Sequence, residues 1–310
     1  MSNVKTNFIK QVKVDSTDYN LPFSNNLVLN DYIRVYCDSS QGTNGVGTSS
    51  SPFNNIDDAL NYANNGYNEY RIYLAAGTYN IQNVKSISNT NLHIVPYNGN
   101  ITINYNHPDD GVFNFYNSHV NIGADSYRTT LNFTTSATTY FEGGNTTFRN
   151  CAFHSNHNLS FISQGLVIIQ KCTIYTEITL RGSNVYWRSS HVNLSDLLEN
   201  TGANECIYAL CSTLYLDTMT DEQRPIFNMV NNTGIKRCFN FESSKLVMGV
   251  GGITVNYDGT TISHTGIFNY SEILGSTAHI NLLINNLSIA LTDSLLNGEF
   301  NHDEVIEPIT

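Results

Sequence analysis

No stretch of this chain is apolar for long enough to cross a bilayer, since runs such as LVII at 166–169 stop within a single turn's length. Membrane insertion is therefore not expected. Charge is also scarce: 13% of residues are Asp, Glu, Lys or Arg, and 15 basic against 26 acidic side chains leave a formal charge of -11. No Lys/Arg cluster interrupts the acidity, so a phosphate backbone would be repelled and nucleic acid is excluded as a partner. The six cysteines (Cys37, Cys151, Cys172, Cys206, Cys211 and Cys238) form no CxxC pair and have no His at zinc-like spacing. They read as reduced core residues, and neither a metal nor a cofactor is expected. The opening residues, MSNVKTNFIKQVKVDSTDYN, lack an apolar h-region and a small-residue cleavage site. The expectation is a protein made in the cytoplasm that leaves by a route other than its own signal peptide.

What the chain does have is Asn, Ser and Thr in quantity, together with 19 Tyr and 15 Phe. That many aromatic rings can offset the entropy of ordering, so the chain is expected to be folded throughout. Residues 1–30 are polar with two strand-like patches and read as an arm or attachment module. Residues 31–80 hold a strand, YIRVYCD, a Gly/Ser loop and the only strong helical pattern. In that pattern Ile56, Ala59, Leu60 and Ala63 fall on one face, with Asn54 or Asn55 as N-cap and Asp57 and Asp58 in the first turn. From 81 to 296 short β segments follow one another, separated by Asn, Gly or Ser, and 297–310 is an acidic tail.

The β segments repeat. FRNCAF at Phe148, IQKCTI at Ile169 and WRSSHV at Trp187 align without a gap, about 20 residues apart. Small residues recur just ahead of strands at Ser118, Asn145, Gly165, Ser183, Ser212, Ser244 and Ser271. Repeats of this length built from short strands predict an all-β, right-handed parallel β-helix, with equivalent residues stacked about 4.8 Å apart. Phe148, Ile169 and Trp187 then stack inside one wall. Cys151, Cys172 and Ser190 form an inward corner, and Arg149, Gln170, Arg188 and Asp217 form an outward ladder. The helix over residues 55–64 covers the open end, which would otherwise expose unpaired backbone and core.

The run DSSQGTNGVGTSSSPFNNIDDAL followed by IYLAAGTY resembles the opening segment of pectate-lyase-like β-helix proteins of the phage tailspike and tail-fibre type. About 45 residues carry the resemblance at the level of motif. It implies a virion protein, in many cases a homotrimer, that acts at the host cell surface. The expected function is a phage virion structural protein (tail fibre, spike or decoration) whose β-helix body binds host surface polysaccharide, with residues 1–30 contacting other virion proteins. The alternative is a tailspike-type depolymerase, an endoglycosidase or a lyase. The same solenoid carries lyases, hydrolases and inert fibres, so fold alone does not decide between them.

Glycan hydrolysis needs two carboxylates, about 5 to 5.5 Å apart for retention and about 6.5 to 9.5 Å for inversion. Glu177 and Asp196 fall at similar offsets in successive repeats and are the candidate acid and base, with Asp217, Asp221 and Glu222 one level further on. The plainer account of these carboxylates is solvated loops. Arg181 and Arg188 are placed to bind an acidic sugar, and Tyr175 and Tyr186 to stack on glycan rings. Asp109 and Asp110, between Pro and Gly, are explained by a turn. GTNGVGTSSS lacks the Gly-Lys-Ser/Thr of a phosphate loop.

Overall fold

Alternation decides the architecture. Segments such as YIRVYC, EYRIYL and NLHIVP place an apolar side chain at every second position, so each strand buries one face. The computed structural model describes residues 32–64, 69–106, 113–133, 139–155, 158–194, 205–216, 225–228, 237–248, 253–256, 264–275, 280–282, 288–292, 295–297 and 307–308. These residues form parallel strands and one helix. The attachment arm, Asp109, Asp110, Asp196, Asp217, Asp221 and Glu222 lie outside them.

Strands recur in a fixed order and fall into three rows. The first row includes Ser86–Ser88, Leu159–Ile162, Ile178–Arg181, Glu205–Leu210 and Arg237–Glu242. The second includes Glu69–Leu74, Asn91–Pro96, Leu166–Gln170, Asn184–Arg188 and Thr213–Leu216. The long strands Phe113–Gly123 and Thr139–Arg149 bend in the middle and serve both rows. The third row is a separate sheet that includes Gly77–Ile81, Ile101–Tyr105, Thr129–Phe133, Cys151–Ser155, Thr173–Tyr175 and His191–Asn193. Apart from the end strands of a row, each strand pairs in parallel with its counterparts one repeat before and one repeat after. The register is the one read from the sequence: Ile169 pairs with both Phe148 and Trp187, and Gln170 with both Arg149 and Arg188.

Two of the bends that join the rows use a left-handed residue. Between the first and second rows stand Asn89, Asn117, Gly143, Ser163, Gly182, Cys211, Ser243 and Tyr270, with φ from 47 to 67°. Ser163, Gly182, Cys211 and Ser243 each precede a position whose backbone is stapled to the next repeat. The amides of Gln164, Ser183, Ser212 and Ser244 each donate at 3.1 Å to the hydroxyl of Ser183, Ser212, Ser244 and Ser271 in turn. This is the column of small residues expected from the sequence, with two corrections, the first being that the stapled amide of its repeat is that of Gln164, not Gly165. Ser118 pairs with Gly144, not Asn145, because a side chain at residue 144 would collide with the Ser118 carbonyl at a φ of +79°. The second bend, at Asn150, Lys171 and Ser189, leads into Cys151, Cys172 and Ser190, where the Cys172 amide donates to the Ser190 hydroxyl at 2.9 Å.

Inward residues of all three rows meet in one core. Phe141 stacks on Phe115 with centroids 4.6 Å apart, and meets Phe161 and Phe148. Phe148 reaches Phe153 of the third row, and Trp187 reaches Phe227. The Trp187 indole donates to the Ser190 carbonyl at 2.7 Å, so the buried ring carries no orphaned N–H. Five of the six cysteines are buried here, and burial pushes the Cys37 thiol up to about 12. Cys211 departs from the core reading: it occupies a left-handed bend position, where its side chain points out.

The helix, Ile56–Ala63, is capped by Asn55, whose side chain accepts from the Asp58 amide at 2.8 Å. Ile56, Ala59, Leu60 and Ala63 are buried, as the periodicity requires. Asp57 is buried as well, because its carboxylate accepts the amides of Gln82, Asn83 and Val84 and so ties the helix to the end of the first third-row strand. The Gly/Ser loop folds back along the edge of Tyr32–Cys37: the Tyr36 amide donates to the Gly47 carbonyl at 2.8 Å and the Phe53 amide to the Tyr36 carbonyl at 3.0 Å. Helix and loop together occupy an edge that would otherwise be open to pairing. In the GTY motif Tyr79 points inward, and its hydroxyl donates to the Ala75 carbonyl at 2.8 Å. Within the acidic tail, Glu307–Pro308 pairs with Ala290 and Leu291. Among the described residues no helix is long and apolar enough to cross a membrane.

Truncating Phe141, at the junction of three other rings, should cost about 3–5 kcal/mol. Truncating exposed Tyr116 to Ala should change stability by no more than about 0.5 kcal/mol. Urea midpoints of the two variants test the assignment of inward and outward positions.

Candidate functional site

The third row carries a tripeptide that repeats: Thr78-Tyr79-Asn80, Thr102-Ile103-Asn104 and Thr130-Leu131-Asn132. The middle residue of each is buried, so Thr and Asn point outward. Parallel in-register pairing stacks identical side chains at the strand spacing of about 4.8 Å, the distance at which carboxamides bond to one another. They do so here: the Asn104 amide donates to the Asn80 carbonyl oxygen at 2.9 Å, and Asn132 to Asn104 at 3.0 Å. The column continues through His154 and Tyr175, whose rings stack 4.2 Å apart and 7° from parallel. Beyond them stands Asn193, paired with Asn228. Neither outward column of this row, from Thr78 to Asn193, contains Asp, Glu, Lys or Arg.

At its first rung the row opens into a cavity of about 670 Å³ between strand and helix, lined by Ser39, Asn54, Asp58, Thr78, Asn80 and Asn83 among others. Its walls are mostly amides and hydroxyls.

A second outward column runs along the second row and changes character on the way. It begins with Arg71, His93 and Asn121, passes Thr147, and continues as Ile168, Tyr186, Tyr215 and Val247. Tyr186 and Tyr215 stack at 4.5 Å. Burial holds the His93 imidazole below its ordinary value, more than the nearby Glu69 raises it. Its Nε2 lies 3.3 Å from the Asn121 amide nitrogen and 3.5 Å from the Glu69 carboxylate.

The residues expected to act on glycan do not converge. Tyr175 is on the third row, Tyr186 and Arg188 on the second, and Arg181 on the first. Spacing in sequence did not account for the bends, which turn successive strands to different rows. Glu177 sits in the bend after Tyr175 and is 8% exposed, so it is not the solvated loop carboxylate of the plainer reading. Asp196 and Asp217 lie outside the described residues, so no separation between candidate carboxylates is defined. His154, which sequence spacing assigns to a turn with His157, lies in the strand Cys151–Ser155, and nothing in the motifs marks Tyr215 or the Asn column. The Thr-x-Asn repeat was the available signal for the last of these.

His191 lies on the same outward row, and its Nδ1 accepts the Ile226 amide at 3.1 Å. Burial lowers its pKa from the ordinary 6.5, so the folded protein binds this proton less readily than the unfolded chain. Stability should be unaffected by this group above pH 6.5 and should fall as pH drops through 6.5 toward the lower folded value. Denaturation midpoints of wild type and His191→Asn across that range test it: the variant should lose part of the acid-side slope.

No family model, curated protein or solved structure matches the chain.

Proposed function

We propose that this chain is the body of a phage virion structural protein (a tail fibre, spike or decoration subunit) built as a right-handed parallel β-helix that binds host surface polysaccharide without chemistry of its own. The carrying observation is the outward third row, where amides and hydroxyls stand in register beside a stacked His154–Tyr175 pair. Hydrogen-bonding groups next to aromatic faces are what a sugar ring, polar at its rim and apolar on its C–H faces, requires. A rigid parallel scaffold supplies that surface with little ordering cost on binding. The three-row register and the likeness of residues 38–79 to tailspike opening segments support the β-helix reading.

Assembly as a homotrimer is part of this reading. Ile168, Tyr186, Tyr215 and Val247 line up as an outward apolar stripe, the kind of surface that subunits cover. Residues 1–30 are assigned to attachment to other virion proteins. The protein is made in the host cytoplasm and acts at the surface of the next host cell.

Purified protein incubated with capsular and cell-wall polysaccharides of candidate hosts should retain a polymer and leave its chain length unchanged on size-exclusion chromatography. Shortening that is abolished in a Glu177→Gln, Asp196→Asn double variant would replace this reading with the depolymerase. Light scattering should give a trimer, and Ile168→Asp should dissociate it. A monomeric wild type would overturn the assembly.

A further inference from the structure

We infer that the glycan lies along the third row, parallel to the direction in which strands stack, and that it is a linear polymer of uncharged sugars whose end enters the cavity beside Asn80. This rests on the polysaccharide-binding reading above and adds to it the face, the direction and the class of sugar.

Direction follows from periodicity. Asn80, Asn104, Asn132, His154, Tyr175 and Asn193 present one outward group per repeat along a line of about 24 Å, at steps of about 4.8 Å. A linear polysaccharide offers an equivalent set of hydroxyls at a similar step, one sugar after another. Along the line it meets the same chemistry at each rung. Across the line it would meet a Thr and an Asn and then a bend.

The class of sugar follows from charge. The two columns hold no cation to pair with a uronate or sialate, and the chain as a whole carries a formal charge of -11. Arg181 and Arg188 belong to other rows, Arg128 stands ahead of Thr129 at the margin of this one, and Lys171, at the bend before Thr173, is paired with Asp125 at 3.2 Å. Asn104 donates to Asn80 and accepts from Asn132, which leaves it one N–H and one lone pair for an outside partner. Neutral hydroxyls, which both donate and accept, match that remainder. Ring stacking at His154 and Tyr175 adds one position where the C–H face of a sugar can lie flat.

The cavity fixes one end. Its volume of about 670 Å³ falls within the roughly 300–1,000 Å³ range of small-molecule sites. Thr78 and Asn80, the first rung of the columns, form part of its wall, so the row leads into it without a break. Its one carboxylate outside the buried Asp57, that of Asp58, is already engaged by Asn55 at 2.8 Å.

The test uses the full-length protein on immobilised linear glycans, with neutral glucan, mannan and N-acetylglucosamine series of graded length beside polygalacturonate and polysialate. Neutral chains should be retained, with affinity rising with length until the rungs are filled. The Asn104→Ala, Asn132→Ala double variant and Tyr175→Ala should each weaken retention roughly tenfold or more, and Thr102→Arg should abolish it. These positions point outward, so thermal midpoints should stay close to wild type, which separates lost binding from lost folding. Tyr116→Ala, at an exposed position of the first row, should leave retention unchanged. Retention of anionic chains alone, or neutral retention that survives the third-row variants, would overturn this inference and leave the polysaccharide-binding reading intact. No retention of any glycan would overturn both. Protein that self-associates through the row, so that Thr102→Arg changes the oligomer instead of glycan binding, would also overturn it.

Discussion

Everything in this molecule depends on parallel, in-register stacking of one repeat on the next. That arrangement satisfies the backbone of each strand from two neighbours and places every side chain about 4.8 Å from its counterpart. Whatever stands at a position must then tolerate its own likeness above and below. Rings do, as Phe115, Phe141 and Phe161 show. Hydroxyls do, since each serine of the first bend accepts an amide from the repeat before it. Amides do, in the Asn80–Asn104–Asn132 column. Like charges at that spacing repel, which accounts for a composition with only 13% charged residues.

Much of this was legible in the sequence. Alternation gave the strands, and the alignment of Phe148, Ile169 and Trp187 gave the register, because inward residues of one column share size and polarity. The helix and its cap were legible because an amphipathic pattern with Asn at its start has few other readings. The left-handed bends were not. Lys171, Cys211 and Tyr270 adopt a positive φ although their side chains are not ones that favour it, and only the geometry of the turn demands it. Gly144 was passed over for Asn145 for a like reason: two consecutive left-handed glycines form that bend, and the register places Asn145 beside His119, one residue past the column.

The candidate site was less legible than the fold. A carboxylate or an arginine attracts notice as chemistry, yet here Arg181, Arg188 and Tyr175 are dispersed over three rows. Thr and Asn read one at a time as turn or surface residues. They acquire meaning when the register places them above one another, which is a property of pairing and not of any single segment. Glu177 shows the converse, since its loop-like context gave no warning of its burial.

The hydrogen bonds that staple successive bends join residues one repeat apart, 18 residues for Cys172 and Ser190 and 32 for Ser212 and Ser244. The helix at the start is bound to the first strands after it, through Asp57 to Val84 and Asn64 to Ser88. A chain emerging from the ribosome therefore has a finished surface ready before most of it exists. Each new repeat needs only the one already laid down as its template, so growth proceeds like a zipper from the helix-bearing end and the loop to be closed at each step does not lengthen with the protein. A lesion early in the sequence would then halt everything after it, while one near the last repeats would leave the earlier ones formed.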